Sequence, residues 1–192
     1  MTQDPASDPV DTRDSAGTTL AELIAAIGDR KLPPVASWHP THCGDSDMRI
    51  AADGTWWHAG TPIGRPELVR LFSTILRREA DGTFVLVTPG EKLDIAVDDA
   101  PFVAVEATVA GQGADATIAF RLNTGDHVVA GPGNRLRVEI APDGTPRPYL
   151  HVRAGLEALV ARAVFYQLAD LALAVDPPGV WSEGVFSPFG SA

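Results

Sequence analysis

The sequence predicts an α+β fold of two small domains that share a repeated hairpin–helix motif. Three observations carry this. A hairpin signal occurs twice, as Ile50-Ala51-Ala52-Asp53-Gly54-Thr55 and as Ile140-Ala141-Pro142-Asp143-Gly144-Thr145. Each copy is followed by a stretch with helical signals, Gly64-Arg65-Pro66-Glu67-Leu68-Val69 and Gly155-Leu156-Glu157-Ala158-Leu159-Val160. Between them run short alternating apolar segments broken by Gly and Pro, the pattern of half-buried antiparallel sheet. Repeated units bury surface against each other, so a cleft is expected at their seam.

The elements follow in order. Residues 1–17 carry Pro5, Pro9 and four aspartates with few sizeable apolar groups, and read as a disordered acidic tail. Thr19 and Glu22 form a capping box, and Leu20, Leu23, Ile24 and Ile27 form one stripe of a helix that Gly28 ends. Pro33, Pro34 and Pro40 make the next stretch irregular. Asp53-Gly54 joins two strands because glycine accepts positive φ. Pro66 and Glu67 suit a helix start; Leu68, Leu71, Phe72, Ile75 and Leu76 form its buried face, and Arg77 and Arg78 suit its negative end. Strands are expected over 84–88, 93–97, 102–109, 117–122, 127–130, 135–140 and 149–152. A long helix is expected over 154–175, stopped by Asp176-Pro177-Pro178-Gly179 and followed by an extended tail. The C-terminal half then packs as a curved antiparallel sheet or partly open barrel capped by a C-terminal helix. The expected domains are 18–90 and 91–192.

Bulk properties narrow the function classes. The chain has 192 residues, 45% of them apolar, which suits a folded core. A formal charge of −10 disfavours nucleic acid as the default partner. The single cysteine, Cys43, forbids an internal disulfide and fits a reducing compartment. The N-terminus does not read as a signal peptide, and no stretch approaches the roughly 18 apolar residues of a membrane helix. The expectation is a cytoplasmic protein without membrane insertion.

Three groups of residues could carry chemistry. His39, His42, Cys43, Asp45, Asp47 and Arg49 form the densest polar cluster. Its types suit a zinc site or a Cys–His nucleophile, although the spacing matches no standard motif. Asp45 and Asp47, two apart, share one face of an extended segment, where paired carboxylates serve acid–base chemistry or cap backbone amides. Arg65 and Arg153 each precede an expected helix start, and an arginine beside free helix amides favours an anion. Arg147, Tyr149 and His151 alternate toward Arg153 and extend the same surface. Trp56 and Trp57 point to opposite faces, so one lies outward or in a cleft. No phosphate loop, dinucleotide fingerprint or nucleophile elbow is present.

The segments Cys43-Gly44-Asp45-Ser46-Asp47-Met48-Arg49-Ile50, Gly60-Thr61-Pro62-Ile63-Gly64-Arg65-Pro66-Glu67 and Arg147-Pro148-Tyr149-Leu150-His151-Val152-Arg153-Ala154-Gly155 resemble the bacterial DUF1285 family, a domain of unknown function. Ser46 stands where a larger apolar residue is expected. The resemblance spans about Leu20 to Phe189. It implies two domains with repeated motifs, a C-terminal half superficially like a pleckstrin-homology barrel, and a binding or signalling role with a site between the domains. It implies no catalytic residues.

The expected function is therefore a non-enzymatic binding module for a small anionic ligand or a protein partner. Its expected site is at the seam, with Asp45, Asp47, Arg49, Arg65, Tyr149, His151 and Arg153 as candidates and no cofactor. The alternative is an enzyme using the Cys43/Asp45/Asp47 loop, with or without the assistance of a metal.

Overall fold

A computed structural model describes residues 32–189; the expected acidic tail and capped first helix lie outside the described residues. The first half contains β1 (His42–Ile50), β2 (Trp56–His58), β3 (Thr61–Pro62), α1 (Pro66–Thr74), β4 (Leu76–Arg78), β5 (Phe84–Val87) and β6 (Glu91–Val97). These strands form one sheet in the order β3-β2-β1-β6-β5-β4. The second half contains β7 (Phe102–Ala110), β8 (Thr117–Leu122), β9 (His127–Val129), β10 (Leu136–Ile140), β11 (Pro146–Arg153), β12 (Leu156–Val160) and α2 (Arg162–Ala172). Its sheet runs β10-β11-β12-β7-β8-β9 and curves into a half-barrel. A hairpin of β13 (Gly179–Ser182) and β14 (Val185–Pro188) ends the described chain. The class is α+β, mostly β, with two α-helices among the described residues.

The two sheets share a plan. Each consists of two three-stranded meanders, and the first and last strands of each sheet lie side by side in parallel, β1 with β6 and β7 with β12. The expectation of a wholly antiparallel sheet is corrected to this extent. The repeat is also longer than the hexapeptide. The first copy runs strand, Asp53-Gly54 turn, strand, Ala59-Gly60 turn, strand, α1; the second runs β10, Asp143-Gly144 turn, β11, Ala154-Gly155 turn, β12, α2. Both Ala-Gly turns hold positive φ at both residues, 47° and 74° in the first and 45° and 76° in the second. That geometry matches the twist of flanking antiparallel strands in a two-residue hairpin.

This corrects three expectations. Residues 154–175 are not one helix: Leu156, Ala158 and Val160 are buried in alternation as β12, and the helix begins at Arg162. Leu-Glu-Ala-Leu-Val favours helix locally, but Glu157 pairs across the sheet with Arg137, and the left-handed turn at Ala154-Gly155 commits the chain to a hairpin. The helical partner of Arg65 is therefore Arg162, not Arg153. Likewise Arg77 and Arg78 lie on β4, because the β-branched pair Thr74-Ile75 ends α1 and Leu76 pairs with Leu86. Finally, β6 belongs to the first sheet, so the chain changes sheets between Val97 and Phe102 rather than at 90/91.

Both halves feed one core. Met48, Ile50, Trp56, Leu76 and Ile95 from the first sheet join Phe102, Phe120, Leu150, Val160 and Leu168 from the second half in a single buried cluster. α1 packs Val69 and Phe72 onto it, and Phe72 stacks on Trp56 at 6.4 Å. The first sheet thus has one face toward the core and one toward solvent. No helix among the described residues is long and apolar enough to cross a membrane.

Candidate binding groove

The outward face of the first sheet forms a groove of about 970 Å³. Strand alternation builds it. Met48, Ile50 and Ile95 turn into the core, so Asp45, Arg49, Asp94 and Ala96 turn out. Pairing of β1 with β6 sets Asp45 directly beside Asp94, and Arg49 between Ala96 and Trp57. The β4–β5 turn raises one wall with Glu79, Asp81 and Thr83, and Trp57 and Gly60 edge the other.

The groove is acidic. Asp45, Asp47, Glu79, Asp81 and Asp94 face only Lys92 and Arg49. Arg49 is already engaged: its Nε donates to Asp98 Oδ1 at 2.8 Å and its Nη2 to Asp98 Oδ2. This bond holds the guanidinium above and the Asp98 carboxyl below their ordinary pKa ranges. Glu79 is bonded to Arg77 at 2.6 Å. The Thr83 hydroxyl and amide both donate to Asp81, which lowers the Asp81 pKa and keeps it ionised. Asp45, Asp47 and Asp94 enter no ion pair among the described residues. Asp45 and Asp94 are like charges on directly opposed positions, an arrangement that costs stability and that a bound cation relieves.

A bulge shapes this corner. Asp45 is paired with Asp94 and Met48 with Ile95, so two residues of β1, Ser46 and Asp47, face no residue of β6. The Ser46 hydroxyl accepts from the Met48 amide at 3.2 Å and donates to the Asp94 carbonyl at 2.7 Å. Asp47 adopts φ of 54°, its amide donates to Asp45 Oδ1 at 2.8 Å, and its carbonyl accepts from the Ala59 amide at 3.0 Å.

The remaining candidates lie elsewhere. Arg65 is exposed at the start of α1. Arg153 sits at the opposite end of that helix, about 13 Å away at 1.5 Å per residue; it donates to the Ser73 carbonyl at 2.6 Å and lies 5.1 Å over the Phe102 ring. The two arginines expected at one seam are thus separated by the length of α1. Tyr149 is buried, under the Arg137 guanidinium, and donates to Asp99 at 2.8 Å; burial raises its pKa. His151 bridges the Gly133 carbonyl at 2.9 Å and the Gly155 amide at 3.3 Å, which fits a neutral ring protonated on Nδ1. His42 and Cys43 lie in β1, not in a loop, and as strand neighbours they point to opposite faces. Among the described residues no group of three or more His, Cys, Asp or Glu is placed to share a metal ion.

Comparison with known families decides the identity. One model, the N-terminal domain of a domain of unknown function (DUF1285), matches residues 33–100, and its C-terminal domain model matches residues 101–189. The chain belongs to the DUF1285 family. The DUF1285 domain border falls in the linker where the chain changes sheets. A solved DUF1285 family protein from Silicibacter pomeroyi DSS-3 is 53% identical, with a TM-score of 0.76 over 86% of this chain and 93% of that chain. Another, from Shewanella baltica OS155, is 25% identical with a TM-score of 0.49 over 64% of this chain and 90% of that chain. A search of curated proteins finds no match.

In this DUF1285 chain, Asp45, Asp47 and Arg49 line one groove together with Asp94, Lys92, Glu79 and Asp81. Sequence reasoning missed the last four. Asp94 lies 49 positions from Asp45, and only the parallel β1–β6 pairing joins them. Alternation within 93–97 was a usable signal that Asp94 faces outward.

Proposed function

We propose that this protein is a binding module whose site is the groove on the outer face of the first sheet, and that its ligand carries positive charge. The observation that carries this reading is the juxtaposition of Asp45, Asp47 and Asp94 in a groove of about 970 Å³ whose only arginine is tied to Asp98. Carboxylates without an ion-pair partner attract ammonium and guanidinium groups, and guanidinium bridges two carboxylates through its planar fork. Trp57, at the groove edge, adds an aromatic face for a cation. This departs from the expected anionic ligand at the seam. There, Arg153 is engaged with the Ser73 carbonyl and Arg78 Nη1 donates to the Gly155 carbonyl at 3.3 Å.

The test is a titration of 15N-labelled protein with spermine and, separately, with a tetra-arginine peptide. Amide shift changes confined to residues 45–49, 79–85 and 92–97 support the reading. They should weaken with salt and vanish in Asp45→Asn/Asp94→Asn, a variant whose melting temperature should equal or exceed that of the wild type because it loses the like-charge pair. Shifts spread evenly over the acidic surface, or none, would sink it.

A further inference from the structure

We propose that β10 is a self-association edge: two copies of this chain pair β10 antiparallel about Val138 and so join their second sheets into one.

Among the described residues, the two six-stranded sheets end in four edge strands. Three are short, with two residues in β3 and three each in β4 and β9, and a short edge gives another chain little to pair with. The fourth, β10, has five residues, Leu136–Ile140, and contains neither proline nor glycine. β14 passes near it, but among the described residues no backbone hydrogen bond links the two. The direction of the free groups follows from the ladder. The His151 amide donates to the Arg135 carbonyl at 2.9 Å and the Ala141 amide to the Thr145 carbonyl at 2.9 Å, so the odd-numbered residues of β10 bond to β11. Leu136, Val138 and Ile140 therefore aim their amides and carbonyls away from the sheet.

A second copy fits this edge because its charges are self-complementary. Arg135 and Arg137 precede Val138, whereas Glu139 and Asp143 follow it. Arg137 and Glu139 are bonded to each other, yet their side chains stay 42% and 58% exposed. Antiparallel pairing about Val138 makes about six ladder hydrogen bonds through the outward groups. It sets Arg137 across from the partner's Glu139 and brings Arg135 toward the partner's Asp143. The neighbouring registers that still use the outward groups set Arg137 against the partner's Arg137, or Glu139 against the partner's Glu139. Like charges directly opposed are destabilising, so one register is selected. The same register carries Ile140, 54% exposed, across from the partner's Leu136 on the apolar face of the strand.

The experiment is sedimentation velocity of the full chain from about 1 μM to about 1 mM. A dimer with a dissociation constant on the order of 10–100 μM is expected, since a single strand pair buries little area. Glu139→Arg, a change at an exposed side chain, should weaken it about tenfold by setting arginines against Arg137 of each copy. Mixing Glu139→Arg with Arg137→Glu should restore wild-type affinity in a heterodimer, because each charge then meets its opposite. Should Arg137→Glu fail to fold, Val138→Pro replaces it. That variant removes an outward amide without touching a bond to β11, and should abolish the dimer while the far-UV spectrum stays that of wild type. A dimer unchanged by Glu139→Arg or by Val138→Pro, or a mixture without rescue, overturns the proposal. A protein that stays monomeric throughout also overturns it and leaves the edge to an extended segment of another protein.

Discussion

Gly54 and Gly144 occupy the same position in the two hexapeptides, with φ of 83° and 81°. Their surroundings differ. A Cβ on Gly54 would lie 2.5 Å from Asn123 Nδ2 and 2.8 Å from Val103 Cγ2, whereas one on Gly144 meets nothing within 4 Å. Gly144→Ala should therefore cost about 1 kcal/mol, the left-handed penalty alone, and Gly54→Ala about 2–4 kcal/mol, since overpacking adds to it. Urea melts of the two variants check this, and equal losses would contradict it. A second residue-scale prediction concerns pH. Asp53 and Asp143 accept from the amides of Thr55 and Thr145 at 2.9 Å, and Asp98 is bonded to Arg49; each carboxyl pKa is lowered. A lowered folded-state pKa means a stabilisation that is complete above the unfolded value near 4 and lost as pH falls through the folded one. Stability attributable to these groups should hold from pH 7 to about 5 and decline below about 4. Asp98→Asn should flatten that decline in urea midpoints measured across this range.

At the scale of elements, a buried hydroxyl ties the β13–β14 hairpin to the second sheet. Ser182 is buried, accepts from the Ile118 amide at 2.9 Å and donates to the Ala130 carbonyl at 2.7 Å. Ser182→Ala leaves two buried backbone groups without partners and should cost about 2–3 kcal/mol by chemical denaturation. The helix α2 depends on packing instead. Leu168 is fully buried between Val164 and Ala172, and Leu168→Ala should cost about 2–5 kcal/mol. Strand or helix identity was legible wherever local pattern and tertiary demand agreed. Leu93, Ile95 and Val97 alternate and form β6; Pro66 and Glu67 open α1. Leu156 to Val160 misled because Leu, Glu and Ala favour helix while the sheet offered burial every second residue.

At the scale of the molecule, the halves are joined by reciprocal bonds. Arg153 of the second half donates to Ser73 of the first, Arg78 of the first donates to Gly155 of the second, and Asn123 Nδ2 donates to the Gly54 carbonyl at 3.1 Å. The linker is held from both sides, with Asp98 bonded to Arg49 and Asp99 to Arg147 and Tyr149. With a single buried cluster behind these bonds, one cooperative unfolding transition is expected. Arg153→Ala should lower amide protection in both sheets in parallel by about 1.5–3 kcal/mol, measured by hydrogen exchange. Loss confined to one sheet would show that the halves are energetically separate.

By itself the sequence determined the turns and the repeat. Asp-Gly-Thr carries its own hydrogen bonds and glycine its own φ, so both hairpins were readable from local chemistry. It also placed Asp45, Asp47 and Arg49 together, because they are near neighbours on one strand. The tertiary structure decided the rest. Parallel pairing brought Asp94 to Asp45, α1 separated Arg65 from Arg153, and sheet packing turned one copy's isoleucine, Ile50, wholly inward while leaving Ile140 54% exposed. Those outcomes depend on which distant strands meet, and no local spacing encodes that choice.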